Sequence, residues 1–186
     1  MGSVYAELTD KLRQFIDEQQ MFFVATAPLA AEGHVNLSPK GLESFRVLDS
    51  KTVAYLDLAG SGIETVAHLR ENGRIVIMFC AFAGGPRILR LQGRGRVVEP
   101  GDADYEHSSR QFPEYINART VIVVELERVA DSCGYGVPLY EYVGQRDQLV
   151  AWAEKKGAET VKRYIAEHNR ESIDGLPGLR NVPCEA

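Results

Sequence analysis

A chain of 186 residues is long enough for one domain that buries most of the surface its unfolded form exposes, and too short for several. With 45% hydrophobic and 25% charged residues it has the composition of an ordinary globular protein, which excludes extended disorder away from the ends. A net charge of −5 argues against a general nucleic-acid binder, which carries a basic surplus or a basic face.

Three cysteines, Cys80, Cys133 and Cys184, fall at no CxxC or His-bracketed spacing, so neither a disulfide framework nor a zinc site is expected. A reducing cytoplasm suits them best. No signal-peptide pattern opens the chain, and the longest apolar runs, such as 74–82, are too short to span a bilayer. No metal, membrane or nucleic-acid partner is expected.

In chain order, Val4, Leu8, Leu12, Phe15 and Ile16 share one helical stripe, predicting an amphipathic helix over about 4–19 that covers the body. Residues 21–27 and 34–38 read as a hairpin whose returning arm carries Asn36, Leu37, Ser38, Lys40 and Gly41. Residues 52–58 form the next strand. The turn Gly60-Ser61-Gly62 then leads into a short helix over 63–71 that Asn72-Gly73 stops. Residues 75–82 make an apolar run suited to a doubly buried strand, and Gly84-Gly85-Pro86 breaks it before the strand 87–98. On that strand a period of two sets Ile88, Arg90, Gln92, Arg94 and Arg96 against Leu89, Leu91, Gly93, Gly95 and Val97. Residues 101–112 suit a helix with His107, and 120–126 a further strand. Residues 139–143 are ambiguous, 146–156 and 158–169 read as helices, and the tail from Ser172 reads as an extended arm or as disorder.

The fold class expected is therefore α+β, mainly β: an antiparallel barrel of about six strands with peripheral helices, whose closure hides the sheet edges. One domain spans 1–186, with an N-terminal helix (1–20), a barrel core (21–130), a loop with C-terminal helices (131–171) and a tail (172–186).

Three stretches carry chemistry. A phosphomonoester holds close to two negative charges at neutral pH and needs fixed cations plus hydroxyl or amide donors. Lys40, Arg87, Arg90, Ser38, Ser61 and Thr65 are of those types. Ser61-Gly62 sits just ahead of a helix start, where unpaired amides favour an anion, although a plain N-capped helix explains the same residues. Lys40 could equally be a solvated loop residue, and the arginine face a solvated surface or a dimer interface. The four histidines are scattered, with no pair at metal-ligand spacing. Cys133 to Pro138 is a loop whose glycines allow close approach of a ring or backbone. No Gly-x-Gly-x-x-Gly after a strand, Walker loop, Gly-x-Ser-x-Gly or His-Glu-x-x-His occurs.

The order of these features resembles the pyridoxamine 5′-phosphate oxidase-like family of FMN-binding split β-barrels. The shared features are a hairpin arm ending Ser-Pro-Lys-Gly, a strand with Tyr55, a serine turn into a short helix, Asn72-Gly73-Arg74 ahead of a buried strand, then Arg-x-x-Arg-x-x-Gly. The continuation from Cys133 to Val143 and the tail Ser172 to Gly178 look like a bacterial and plant-type branch of it. The resemblance implies that FMN is held through Ser38, Lys40, Ser61 and Thr65, with neighbouring contacts from Asn36, Leu37, Gly41 and Gly62. Arg87, Leu89 and Arg90 would enter from the later strand. It further implies a homodimer with the flavin at its interface, and an oxidoreductase passing a hydride or electrons between a nicotinamide donor and a small substrate.

Three departures stand out. Arg87-Ile88 replaces the family's Arg-Gln, Ile63-Glu64-Thr65 replaces the basic Ser-Arg-Lys of the turn, and the substrate-holding Arg-Leu-His-Asp-Arg segment is absent. The chain is accordingly not expected to make pyridoxal phosphate. A deazaflavin-dependent reductase of the same fold, or a non-enzymatic module for flavin or haem, are the alternative readings.

Overall fold

The structure is a computed structural model that describes residues 2–181. In chain order it comprises β1 (Val4–Tyr5), α1 (Asp10–Asp17), β2 (Phe22–Thr26), β3 (Asn36–Lys40), β4 (Phe45–Val47), β5 (Thr52–Leu58), α2 (Glu64–Asn72), β6 (Arg74–Cys80), β7 (Ile88–Val98), α3 (Tyr105–Ser109), β8 (Ala118–Ser132), α4 (Gln148–Lys156) and α5 (Ala158–His168). All strands pair antiparallel in one sheet of order β3-β2-β6-β7-β8-β5-β4, with β1 added on β8, and the sheet curls into a split half-barrel. Among the described residues no helix is long and apolar enough to cross a membrane.

The expected strands recur, with two additions and one extension. Val4 and Tyr5, expected as the start of the first helix, instead pair with Ala130 and Val129. The helix begins only at Asp10, because the Thr9 side chain accepts the Leu12 amide and caps it there. β4, at three residues, is too short to show a period of two. β8 runs for 15 residues rather than the apolar 120–126, since its polar second half still pairs with β7. The helix expected over 101–112 contracts to the five residues of α3.

The inner face of the sheet carries the main core, with Tyr55, Ile77, Phe79, Leu89, Leu91 and Ile122 each 2% exposed or less. Leu12, Phe15 and Ile16 of α1 close one side, giving that helix its apolar stripe. Helix α2 lies against β7, and its approach depends on Gly95, where a Cβ would sit 2.8 Å from a Leu69 methyl. Gly73, left-handed at φ 69°, ends α2 and turns the chain into β6. This fixes the N-terminus of α2 beside the open edge of the half-barrel.

The segment after α5, expected as an arm or as disorder, folds back onto the barrel. Ser172 donates its amide to Leu176, Asp174 accepts both the amide and the ring Nδ1 of His34, and Glu99, buried, accepts the amides of Arg180 and Asn181. Pro183 and Cys184 lie outside the described residues.

At the register shift between Gln92 and Gly93, a Cβ on Gly93 would stand 2.0 Å from the carbonyl oxygen of Glu125. Gly93→Ala should therefore cost roughly 2–3 kcal/mol by forcing β7 and β8 apart. Gly136→Ala, with nothing within 4 Å, should be near neutral in the same urea titration.

Candidate functional site

A cavity of about 1180 Å³ opens between β3, the end of β5, the loop before α2, the start of α2, an extended arm over residues 140–147 and Leu149 at the start of α4. That volume is somewhat above the roughly 300–1,000 Å³ of ordinary ligand pockets, so it is ample for a cofactor.

Strand β3 presents alternate residues to it. Asn36, Ser38 and Lys40 share one face, while Leu37 falls on the other and is 63% exposed. The Ser38 hydroxyl donates to Asn36 Oδ1 (3.0 Å), and Asn36 Nδ2 donates to Thr65 Oγ1 (2.9 Å) and Thr26 Oγ1 (3.3 Å). Thr65 thus accepts from Asn36 and keeps its own proton for another acceptor. Behind Thr26 stands His68, buried, with Nδ1 3.0 Å from the threonine oxygen and Nε2 unpartnered among the described residues. Burial lowers its basicity against the pull of Asp174, Glu64 and Glu71, so the ring is neutral near pH 7.

Beneath the cavity, Asp57 is fully buried and binds two cations. Lys40 Nζ lies 2.7 Å from one carboxylate oxygen and Arg119 Nε 2.7 Å from the other. Burial alone would push this carboxyl up, but Arg119 and then Lys40 overcome it and hold it at about 2. The arrangement comes from a β-bulge: Asp57 pairs with Thr120 and Leu58 with Ala118, so Arg119 is the extra residue and its side chain is turned across to Asp57. Arg119 Nη1 continues to the Gly62 carbonyl (2.8 Å) and to Asn169 Oδ1 (2.8 Å), leaving Nη2 without a partner among the described residues. Tyr55, next on the same strand face, has its hydroxyl pushed well above the usual tyrosine range by burial and by the Asp57 charge, and so stays protonated.

The 59–63 loop supplies backbone donors. Among the described residues, the amides of Ser61, Gly62 and Ile63 have no acceptor, and they lead directly into α2. The Glu64 side chain lies over this loop, with a carboxylate oxygen 2.2 Å from where a Gly62 Cβ would be.

On the opposite side, the arm is held at few points. The Tyr140 amide donates to Phe82 (2.8 Å) with the two rings 5.3 Å apart, and Gln145 bridges the Leu42 amide and the Gln20 carbonyl.

Of the residues expected at the site, the structure brings Asn36, Ser38, Lys40, Gly41, Ser61, Gly62 and Thr65 together around this cavity. It does not bring Leu37, Arg87, Leu89 or Arg90 there. Leu89 is wholly inside the core; Arg87 bonds Asp131 and the Tyr5 hydroxyl and stacks over Phe15; Arg90 bonds Ser132. Sequence reasoning missed Asp57, Arg119, Asn169 and the arm residue Gln145. An aspartate inside the apolar strand Thr52–Leu58 was the available signal, since a buried carboxylate requires cationic partners.

The family model described as pyridoxamine 5′-phosphate oxidase matches residues 8–133, and the chain belongs to this family. The pyridoxamine 5′-phosphate oxidase family protein ustO of Aspergillus flavus is 40% identical over 199 residues, covering 98% of this chain and 80% of that protein. Two solved structures share the fold. HupZ of Group A Streptococcus, in a histidine-to-alanine variant, has a TM-score of 0.52 at 24% identity, over 67% of this chain and 98% of its own. A Clostridium acetobutylicum protein related to general stress protein 26 of the pyridoxinephosphate oxidase family has 0.51 at 13% identity, over 75% and 94%.

Because the folded carboxyl of Asp57 sits at about 2, below its ordinary 3.8, its stabilisation is present above pH 4 and is lost as the pH falls from about 4 through 2. Asp57→Asn should remove that part of the acid limb and cost roughly 3 kcal/mol at pH 7, since it strands two cations. Urea titrations at pH 7 and across the acid range check both.

Proposed function

We propose that this chain is an FMN-binding oxidoreductase of the pyridoxamine 5′-phosphate oxidase family, working as a homodimer. The observation that carries the reading is that one cavity is lined both by Ser61 and Gly62, whose amides have no acceptor among the described residues, and by Arg119, whose Nη2 has none there either. Those donors suit a compact dianion.

In this reading the loop amides, Arg119 and the Thr65 hydroxyl hold the phosphate. Lys40, which spends one donor on Asp57 and is 20% exposed, adds a cation at the same rim. Asn36 and Ser38 offer polar contacts to the remainder of the cofactor, and the arm with Tyr140 and Tyr142 covers it from water. The bound flavin would supply the hydride or electron transfer between a nicotinamide donor and a small substrate. The protein's part is position, charge and exclusion of solvent.

A more acidic deazaflavin is disfavoured by the cavity's own carboxylates, Glu18, Glu64 and Glu141, which match Lys40, Arg119 and Arg146 in number. No histidine is among the cavity's lining residues, so haem lacks that axial ligand. For the dimer, support comes from the exposed apolar residues of the arm and from Leu139 just before it, with Leu139 at 74% and Val143 at 96% exposure.

An absorption spectrum of the purified protein, followed by titration with FMN, a deazaflavin and haem, tests the reading. Flavin bands or saturable FMN uptake, with twice the monomer mass by light scattering, are expected; uptake of none of the three overturns it. Glu64 makes a single long contact to the Ile173 amide (3.4 Å), so its removal leaves the fold intact. Glu64→Gln should tighten FMN binding roughly three- to tenfold.

A further inference from the structure

The C-terminal return of the chain meets the cavity's loop and Arg119 through Asn169. Asn169 follows α5, is wholly buried, and engages both its backbone groups and both ends of its side-chain amide. Its amide donates to Ile165 (2.9 Å) and its carbonyl accepts from Leu179 (3.1 Å). Its side chain lies between two parts of the site: Oδ1 accepts from Arg119 Nη1 (2.8 Å) and Nδ2 donates to the Gly60 carbonyl (3.1 Å). A guanidinium only donates and a carbonyl only accepts, so this is the one amide orientation that satisfies both.

We propose that Asn169 is a positioning residue for the phosphate-holding loop, acting through Gly60 and Arg119; this rests on the FMN reading above. A trans peptide points its N–H opposite to its C=O. Asn169 draws in the Gly60 carbonyl and Arg119 draws in the Gly62 carbonyl, which turns the N–H groups of Ser61 and Ile63 the other way. Those are two of the amides without an acceptor among the described residues. The same side chain sets the guanidinium plane, because Arg119 Nε is committed to Asp57 and Nη1 to Asn169 and Gly62, so Nη2 is the nitrogen left over.

The chain beyond Asn169 is shaped to keep it there. A Cβ on Gly178 would stand 2.5 Å from the Asn169 carbonyl oxygen and 2.9 Å from Ile63, so only glycine lets the tail pack over both. Glu99 then holds the amides of Arg180 and Asn181, each at 2.9 Å, and pairs with Arg70 of α2. The tail in this protein therefore contributes to the cofactor site from behind, through the orientation of donors.

The role predicts an effect confined to the phosphate. FMN and riboflavin, which differ only in that group, are titrated against the wild type, Asn169→Ala and Asn169→Asp, with circular dichroism reporting the fold. The expected result is that Asn169→Ala loses tenfold or more in FMN affinity and leaves riboflavin affinity unchanged. Asn169→Asp, isosteric and still able to accept from Arg119, keeps the fold if the alanine variant does not. It should lose at least as much FMN affinity, because it removes the donor to Gly60 and adds a negative charge. Equal weakening of both ligands, or an unchanged preference for FMN, overturns the positioning role and leaves the flavin reading standing. A wild type that shows no preference for FMN over riboflavin overturns both.

Discussion

The constraint on which the rest of this structure depends is the burial of one carboxylate. Asp57 is fully enclosed at the end of a strand, and a bare charge there would be prohibitively costly. It is tolerated because Lys40 arrives from β3 and Arg119 from β8, each at 2.7 Å. The end of β5, the bulge of β8 and the distant edge strand β3 are thereby tied together. Arg119 extends that order outward, through the Gly62 carbonyl and Asn169, to the loop and the tail. What looks like a binding surface is thus the outer layer of a buried ion cluster.

The small residues of β7 belong to the same logic on the other side of α2. With Gly95 under Leu69, the helix can lie close on the sheet, and its N-terminus is presented at the cavity and not lifted away from it. A larger residue there would move the free amides of the preceding loop by the width of a methyl group. Such displacement would matter for the proposed phosphate contacts, whose donors would have to meet an anion at hydrogen-bond distance.

Most of the fold was legible in the sequence because its carriers are local. The apolar run leading β6, the alternation along β7 and the Asn72-Gly73 stop are each readable within a dozen residues. Of the candidate cavity, the sequence pointed only to lining residues that are local too: Ser38 and Lys40 on one arm, Ser61 and Thr65 at one turn. Arg119 escaped because its direction is set by a bulge, a one-residue mismatch between two strands that no single strand reveals. Asn169 escaped because its partners lie 50 and 109 residues away in the chain. Arg87 and Arg90 lie away from this cavity for the converse reason: their charge is evident in the sequence, but their partners Asp131 and Ser132 sit on the far half of β8.

The charge balance of the cavity then narrows what it can hold. Its lining cations, Lys40, Arg119 and Arg146, are matched one for one by Glu18, Glu64 and Glu141, and Asp57 lies beneath. A cavity without surplus charge gives no broad attraction to an extended polyanion. It can still bind a compact one, provided the donors are concentrated at one point and the carboxylates are elsewhere. In the proposed reading the loop amides and Arg119 supply that concentration; Asp57 is already committed to Arg119 and Lys40, and Glu64, lying over Gly62, is the lining acid that intrudes. Specificity in such a site would come from the direction of a few donors more than from net charge, which is what gives the proposed role of the tail's buried amide its leverage.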